Sequence, residues 1–239
     1  VSERDLSSVE CWINMGSPLT QSDAETFLNT LTPNIYNDYG TTETLTDTVL
    51  RPDDLPEHAG TVGRPNQDKQ IRVIRSEPGR DVPPDETVPV GERGEVIVAG
   101  DTLFDYYYDD AAATAAATSN GWFYTGDIGY ITEQGYLVVT GRADDLINSG
   151  GELVSPVEVE EVLEHHPDVA GAVVVGVPDE EWGERVSAHV VASGIDADEL
   201  DAYCRDHDGL ADFKRPREWH FVDEIQRTAT GKKQRYRYR

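Results

Sequence analysis

The feature that most narrows the folds open to this chain is a change of hydrophobic rhythm near residue 144. Between residues 60 and 140 the apolar residues come in short β-prone runs: IRVIR at 71–75, GEVIVAG at 94–100, then WFYTGDIGYI and GYLVV on either side of a Glu133-Gln134-Gly135 turn. Such runs, punctuated by turn residues, predict a small antiparallel or barrel-like unit. After GRADD at 141–145, helical and extended patterns alternate instead. Ser155-Pro156-Val157-Glu158 combines an N-cap serine, a first-turn proline and a capping-box glutamate, so a helix starts there, with Val159, Val162 and Leu163 as its apolar face. VAGAVVVGV at 169–177, RVSAHVVA at 185–192 and REWHFV at 217–222 read as strands, and DADELDAYCRDH at 196–207 as a helix.

The first residues follow a third pattern. VECWIN at 9–14, SDAETFLNT capped by Ser22, and NIYNDY at 34–39 read as strand, helix and strand, an α/β unit cut from a larger sheet. SEPGRDVPPDETVPVGERG reads as a solvated loop between strands, and AAATAAAT at 111–118 as one short surface helix. The expected fold class is therefore α/β and α+β. Residues 1–143 hold an α/β unit (1–59) and a β-rich subdomain (60–143), and residues 144–239 hold an α+β domain.

Charge restricts function further. The chain carries 46 Asp and Glu against 20 Lys and Arg, a formal net charge of −26, and its lysines are Lys69, Lys214, Lys232 and Lys233. Self-repulsion of this size destabilises a folded chain unless salt screens it, which predicts an origin in a high-salt cytoplasm. An acidic surface repels a phosphate backbone, which argues against nucleic acid as a partner. The exception is the tail, where Lys214, Arg215, Arg217, Arg227, Lys232, Lys233, Arg235, Arg237 and Arg239 cluster as either a solvated basic end or a local phosphate site. Cys11 and Cys204 have no His or Cys at metal-ligand spacing, which predicts two reduced, half-buried thiols. No apolar h-region and no run of about 18 apolar residues occurs, so neither a signal peptide nor a membrane span is predicted and the expected location is the cytoplasm.

Five segments carry candidate chemistry: MGSPL at 15–19, YGTTE at 39–43, YTGD at 124–127, GRADD at 141–145 and TATGK at 228–232. In YGTTE a glycine permits close backbone approach, two hydroxyls can donate to a phosphate and a carboxylate can hold a hard cation. That reads as a nucleotide-phosphate site on a loop after a strand, or as an ordinary polar turn. Gly16-Ser17-Pro18 reads as a turn. Asp127 follows a glycine, and a carboxylate so placed can accept both hydroxyls of a ribose. Arg142 offers five donors to oxygen acceptors, or pairs with Asp144 or Asp145 on the surface. Ser149-Gly150-Gly151 is either a plain strand-to-helix turn or a strip bare enough to pass a narrow ligand. Lys232 beside Gly231 can stabilise a negative pentavalent transition state, although a lone lysine in a basic tail is usually just solvated.

In this order, and with SGGELVSPVEVE at 149–160, these segments resemble the AMP-forming adenylating superfamily of acyl-CoA synthetases, luciferases and peptide-synthetase adenylation domains. The resemblance covers essentially the whole chain. It implies the end of a large N-terminal domain followed by a mobile α+β lid. It further implies that Tyr39 stacks on adenine, Thr42 contacts the α-phosphate and Glu43 binds Mg²⁺, with Asp38, Gly40 and Thr41 completing the nucleotide segment. Gly16, Ser17 and Pro18 would line the nucleotide and acyl site, Asp127 and Arg142 would hold the ribose, and Asp144 would be the hinge. Ser149, Gly150 and Gly151 would pass the pantetheine of CoA, and Lys232 would be catalytic. Lys214, Arg215 and Arg235 are candidates for the CoA phosphates. Two positions depart from the family pattern: Gln226 stands where members commonly carry proline, and Leu153 where Arg or Asn is frequent.

The reaction so implied has two steps: a carboxylate attacks the α-phosphate of ATP to give acyl-AMP and pyrophosphate, then a thiol displaces AMP. The SGGELVSPVEVE run resembles fatty-acyl and aryl-CoA ligases, which favours CoA as acceptor. The alternatives are a carrier-protein-loading adenylation domain and a non-catalytic nucleotide- or CoA-binding relic. No Ser/Thr/Gly-rich phosphate loop ending in Lys precedes residue 39, so the chain is expected to need the missing N-terminal part of the same enzyme and to turn over negligibly alone. The acid activated is not named by these residues.

Overall fold

In a computed structural model that describes residues 5–75, 82–229 and 231–239, the chain forms two units, Val1–Val139 and Thr140–Arg239, each with its own core. The first begins with strand β1 (Trp12–Met15), helix α1 (Gln21–Thr30) and strands β2 (Ile35–Thr41), β3 (Leu45–Leu50) and β4 (Arg64–Pro65), arranged β1-β2-β3-β4 in one sheet. β1 and β2 are parallel, Trp12 opposite Ile35 and Met15 opposite Asp38, so α1 is the crossover that parallel strands require. Ala24, Phe27 and Leu28 of α1 pack on Leu19 and Ile35. The helix is opened by Thr20, not Ser22: Thr20 Oγ1 accepts from the amide of Asp23 at 3.1 Å, and Ser22 lies inside the first turn.

The β-rich run forms a second sheet from β5 (Lys69–Ile74), β6 (Gly94–Gly100), β7 (Thr118–Ser119), β8 (Trp122–Ile131) and β9 (Leu137–Arg142), in the order β5-β6-β8-β7 with β9 also beside β8. β6 and β8 have the bounds their apolar runs predict. Val96, Ile97 and Val98 of β6 are all fully buried, so both faces of this strand are covered. The alanine-rich segment is helix α2 (Ala111–Ala117), capped by Asp110, which accepts from the amide of Ala113 at 2.9 Å. Of the predicted loop between β5 and β6, residues 76–81 lie outside the described residues.

The second unit contains β10 (Ile147–Ser149), β11 (Glu152–Val154), α3 (Pro156–Glu164), β12 (Val169–Asp179), β13 (Gly183–Ala192), α4 (Ala197–Asp206) and β14 (Glu218–Phe221). Its sheet runs β11-β10-β13-β12, with β14 parallel to β13. Val159, Val162 and Leu163 of α3 are buried with Ala172 and Val174 of β12 and Leu200 of α4, as the apolar stripe predicts. Ser155 precedes α3 but makes no capping bond; its Oγ donates instead to the carbonyl of Thr140 at 2.8 Å, and Glu158 pairs with Lys214 at 2.6 Å. A reciprocal capping box does form at α4, between Asp196 and Glu199. The thiols are not half-buried: Cys11 is exposed and Cys204 is buried, its pKa pushed up to about 11 by desolvation. No helix among the described residues is long and apolar enough to cross a membrane.

Candidate functional site

In the first unit, two sequence-predicted segments meet where the parallel strands end. Gly16, Ser17 and Pro18 follow β1, while Tyr39, Gly40 and Thr41 complete β2 beyond the Met15–Asp38 pair. Ligands of open α/β sheets bind at such carboxyl ends. Gly16 turns with φ 78°. Asn14 Nδ2 ties the turn to β2, donating to the Ser17 carbonyl at 3.0 Å and to Asn37 Oδ1 at 2.7 Å.

YGTTE is not a loop after a strand but the closing end of a hairpin: β2 ends at Thr41 and β3 returns antiparallel from Leu45. The register shifts between Tyr39 and Gly40, and a Cβ on Gly40 would stand 1.5 Å from the carbonyl oxygen of Leu45, so no other residue fits. Beneath the turn lies a charge network that sequence reasoning missed. Lys69 Nζ donates to the Thr44 carbonyl and stands 3.3 Å from Asp47 Oδ1, with the two side chains 1% and 0% exposed. Thr44 Oγ1 donates to Asp47 Oδ2 at 2.5 Å and accepts from the Thr41 amide at 3.2 Å, and Thr102 Oγ1 adds a bond to the Thr44 carbonyl at 2.9 Å. Burial pushes the Asp47 carboxyl upward, opposed by its bond from Thr44 and by Lys69. The available signal was composition, since Lys69 is the one lysine before residue 214.

On this support Thr42 is exposed and Glu43 half-buried. Tyr107 Oη donates to Glu43 Oε1 at 2.8 Å, and the Phe104 amide donates to the Glu43 carbonyl at 2.7 Å. Asp38 accepts from Thr46 Oγ1 at 3.0 Å through Oδ2, its Oδ1 is buried without a hydrogen-bond partner, and desolvation pushes its pKa up. Tyr39 and Asp127, 88 residues apart, are brought together: Tyr39 Oη donates to Asp127 Oδ2 at 2.6 Å. Asp127 is 9% exposed, and its amide donates to Thr125 Oγ1 at 2.9 Å. Burial, then the neighbouring Asp127 charge, holds the Tyr39 phenol well above the usual tyrosine range.

In the second unit, Arg142 pairs with Asp144 at 3.5 Å, the surface pairing that its sequence context allows, and Asp144 lies in the 3₁₀ turn Ala143–Asp145. Ser149-Gly150-Gly151 is the turn of the β10–β11 hairpin rather than a strand-to-helix turn. Its glycines have φ 63° and 88°, the left-handed values that a two-residue hairpin turn favours. Over Gly150 lies Trp182, a residue sequence reasoning passed over: a Cβ on Gly150 would meet its ring at 2.7 Å. Asp179 Oδ1 fixes the Trp182 turn by accepting from the amides of Glu181 and Trp182 at 2.9 and 3.0 Å.

Lys232 stands in a tight loop closed by Thr228 N to the Lys232 carbonyl at 2.8 Å and by an Arg227–Lys233 bridge. Its side chain is exposed and pairs with no described carboxylate; Thr230 of the same motif lies outside the described residues. The three basic residues considered for CoA phosphates are not free cations. Lys214 holds Glu158, Arg215 holds Asp201 and Asp212, and Arg235 holds Glu160, because an acidic domain supplies a carboxylate within reach of each.

Parallel strands that end beside a hydroxyl- and carboxylate-bearing hairpin make an open α/β arrangement of the kind that binds ligands at its strand ends. The family model for the AMP-binding enzyme matches residues 1–108 and that for the AMP-binding enzyme C-terminal domain matches residues 158–232; the chain belongs to this family. Among its relatives, the 2-succinylbenzoate–CoA ligase of Bacillus licheniformis is 38% identical over 98% of this chain and 47% of its own length. The O-succinylbenzoate coenzyme A synthetase of Bacillus subtilis, solved in complex with AMP, is 33% identical with a TM-score of 0.83, covering 98% of this chain and 46% of that one. The amide bond synthetase of Marinactinospora thermotolerans superimposes with a TM-score of 0.86 at 35% identity, covering 100% of this chain and 48% of that one. The chain thus spans about half the length of the relatives it matches.

Proposed function

We propose that this chain is part of an AMP-forming acyl-CoA synthetase, which joins a carboxylic acid to CoA at the expense of ATP through an acyl-adenylate. The observation that carries the reading is the placement of Asp127 against Tyr39 beside the YGTTE hairpin, where strands β1 and β2 end. In this reading Tyr39 presents its ring to adenine while its hydroxyl, bonded to Asp127, orients that carboxylate toward the ribose. Thr42, exposed on the turn, donates to the α-phosphate, and Gly16, Ser17, Pro18, Asp38, Gly40 and Thr41 form the surrounding wall.

Glu43 is the residue that would hold Mg²⁺, and the fit is good: one half-buried carboxylate, fixed by Tyr107, suits an ion that keeps water and phosphate oxygens as its other ligands. Bound there, the ion would neutralise phosphate charge. No group of three or more His, Cys, Asp and Glu among the described residues forms a metal cage, so a dedicated structural metal is not part of this reading.

In the second unit, Lys232 is held out by its loop to stabilise charge at the α-phosphate during adenylate formation. Arg142 contacts the ribose, leaving Asp144 to serve as the hinge. The Gly150-Gly151 turn, walled by Trp182, passes the pantetheine arm in the thioester step. CoA as acceptor is favoured by the ligase relative, whose name also favours an aromatic acid, and a cytoplasmic location follows from the need for ATP and CoA. The amide bond synthetase relative supplies the second reading, an amine acceptor.

Three measurements test this. Calorimetric titration with AMP and CoA asks whether the chain binds them. In the complete ligase that carries it, Lys232→Ala is expected to abolish acyl-adenylate formation and spare thioester formation from supplied acyl-adenylate; equal loss of both steps refutes the assignment. Supplying acyl-adenylate with CoA and with an amine in parallel decides the acceptor.

A further inference from the structure

Glu160 lies on α3 with 2% of its surface exposed, an expensive place for a carboxylate unless donors surround it. Here three do. Oε1 accepts from the Val174 amide at 2.8 Å, and Oε2 accepts from Lys233 Nζ at 2.8 Å and Arg235 Nη2 at 2.7 Å. Lys233 also donates to Glu164 Oε1 at 2.9 Å, which in turn accepts from the Ala172 amide at 3.0 Å. Arg235 faces Asp145 at 3.7 Å as well. Both cations belong to the segment that closes the Lys232 loop, through Arg227 opposite Lys233 and Gln234 N donating to the Gln226 carbonyl at 2.9 Å.

Lys233 is drawn onto α3 while the side chain of Lys232, the residue before it, stays exposed. We propose that Glu160 is a positioning residue for Lys232, anchoring through Lys233 and Arg235 the segment that presents it. This rests on the reading that Lys232 acts at the α-phosphate. A buried carboxylate tied to two cations fixes one register for the tail, because any slip would take both cations from a buried charge.

Amide hydrogen exchange on the whole chain reads the anchoring directly. Glu160→Gln is expected to speed exchange at Thr228 and Gln234 about tenfold or more while the β12–β13 amides stay slow; unchanged exchange at both overturns the proposal. Lys233→Met, which leaves Glu160 bonded to Arg235 and Val174, provides the same readout if Glu160→Gln unfolds the domain, and unchanged exchange there counts equally against it.

In the complete ligase, Glu160→Gln should lower kcat for acyl-adenylate formation about 10- to 100-fold with little change in the KM for ATP and leave the thioester step unaltered. Equal loss in both steps marks a merely structural role and overturns the inference. Lys232→Ala separates the two readings. If it leaves adenylate formation intact, the assignment of Lys232 falls; if it abolishes adenylate formation and Glu160→Gln does not impair it, the positioning role falls.

Discussion

Tyr39 Oη donates to Asp127 Oδ2 at 2.6 Å, joining a strand of one sheet of the first unit to a strand of the other. A short bond to a buried carboxylate is among the stronger kinds, so the pair fixes both side chains before any ligand arrives.

Removing that hydroxyl should therefore be costly. Tyr39→Phe is expected to destabilise the first unit by about 1.5–3 kcal/mol, read as a lower urea midpoint. Burial and the neighbouring Asp127 charge hold the folded phenol well above the usual tyrosine range of about 10, so its stabilising effect is fully present below that pH and lost as pH rises through the raised pKa. Phenolate absorbance should show two late tyrosines, Tyr39 and Tyr136, the latter raised by burial and by its bond to Asp54, and Tyr39→Phe should remove the later of them. A titration with the same late component in the variant assigns it elsewhere.

The Lys69–Asp47 pair makes a different prediction, since both partners are buried. Lys69→Met alone leaves Asp47 charged and unpaired and should cost about 3–5 kcal/mol, whereas Lys69→Met with Asp47→Leu should recover much of it. Denaturation of the two singles and the double forms the cycle. Additive losses would show that the two side chains do not support the turn as a unit.

Gly150 and Gly151 are expected to respond unequally. An added Cβ at Gly151 meets nothing within 4 Å, so Gly151→Ala carries only the strain of φ 88°, about 1 kcal/mol. At Gly150 the same change must also displace the Trp182 ring, 2.7 Å away. A shift in Trp182 emission in Gly150→Ala, absent in Gly151→Ala, is the expected result; matching spectra would contradict the packing.

The net charge of −26 predicts a folded state that salt supports. Screening within a Debye length should raise the Tm steadily from about 0.1 M to 1 M KCl. A Tm indifferent to KCl would show that the acidic surface carries no such penalty.

Much of the fold is legible in the residues because its causes are local. The bounds of β6 and β8, the stripe on α3 and the presence of helix α4 each follow from a few neighbouring side chains. Local signals also mislead where a partner lies elsewhere. Ser155 has the sequence of a cap, yet its hydroxyl is taken by Thr140, and the glycine pair before α3 closes a hairpin because β11 finds β10 as its neighbour. Of the candidate site, YGTTE and YTGD stand out as strings, but nothing in either string reveals that Tyr39 bonds Asp127.

By itself, then, the sequence determined the order of elements, the acidic surface and the candidate motifs of the site, all of which depend on residue type and short-range spacing. Only the tertiary structure decided which charges are buried and what answers them: Lys69 with Asp47, and Glu160 with Lys233 and Arg235. The reason is desolvation. The cost of a buried charge and the worth of its partner depend on segments that meet through packing, and no local pattern records which segments those will be.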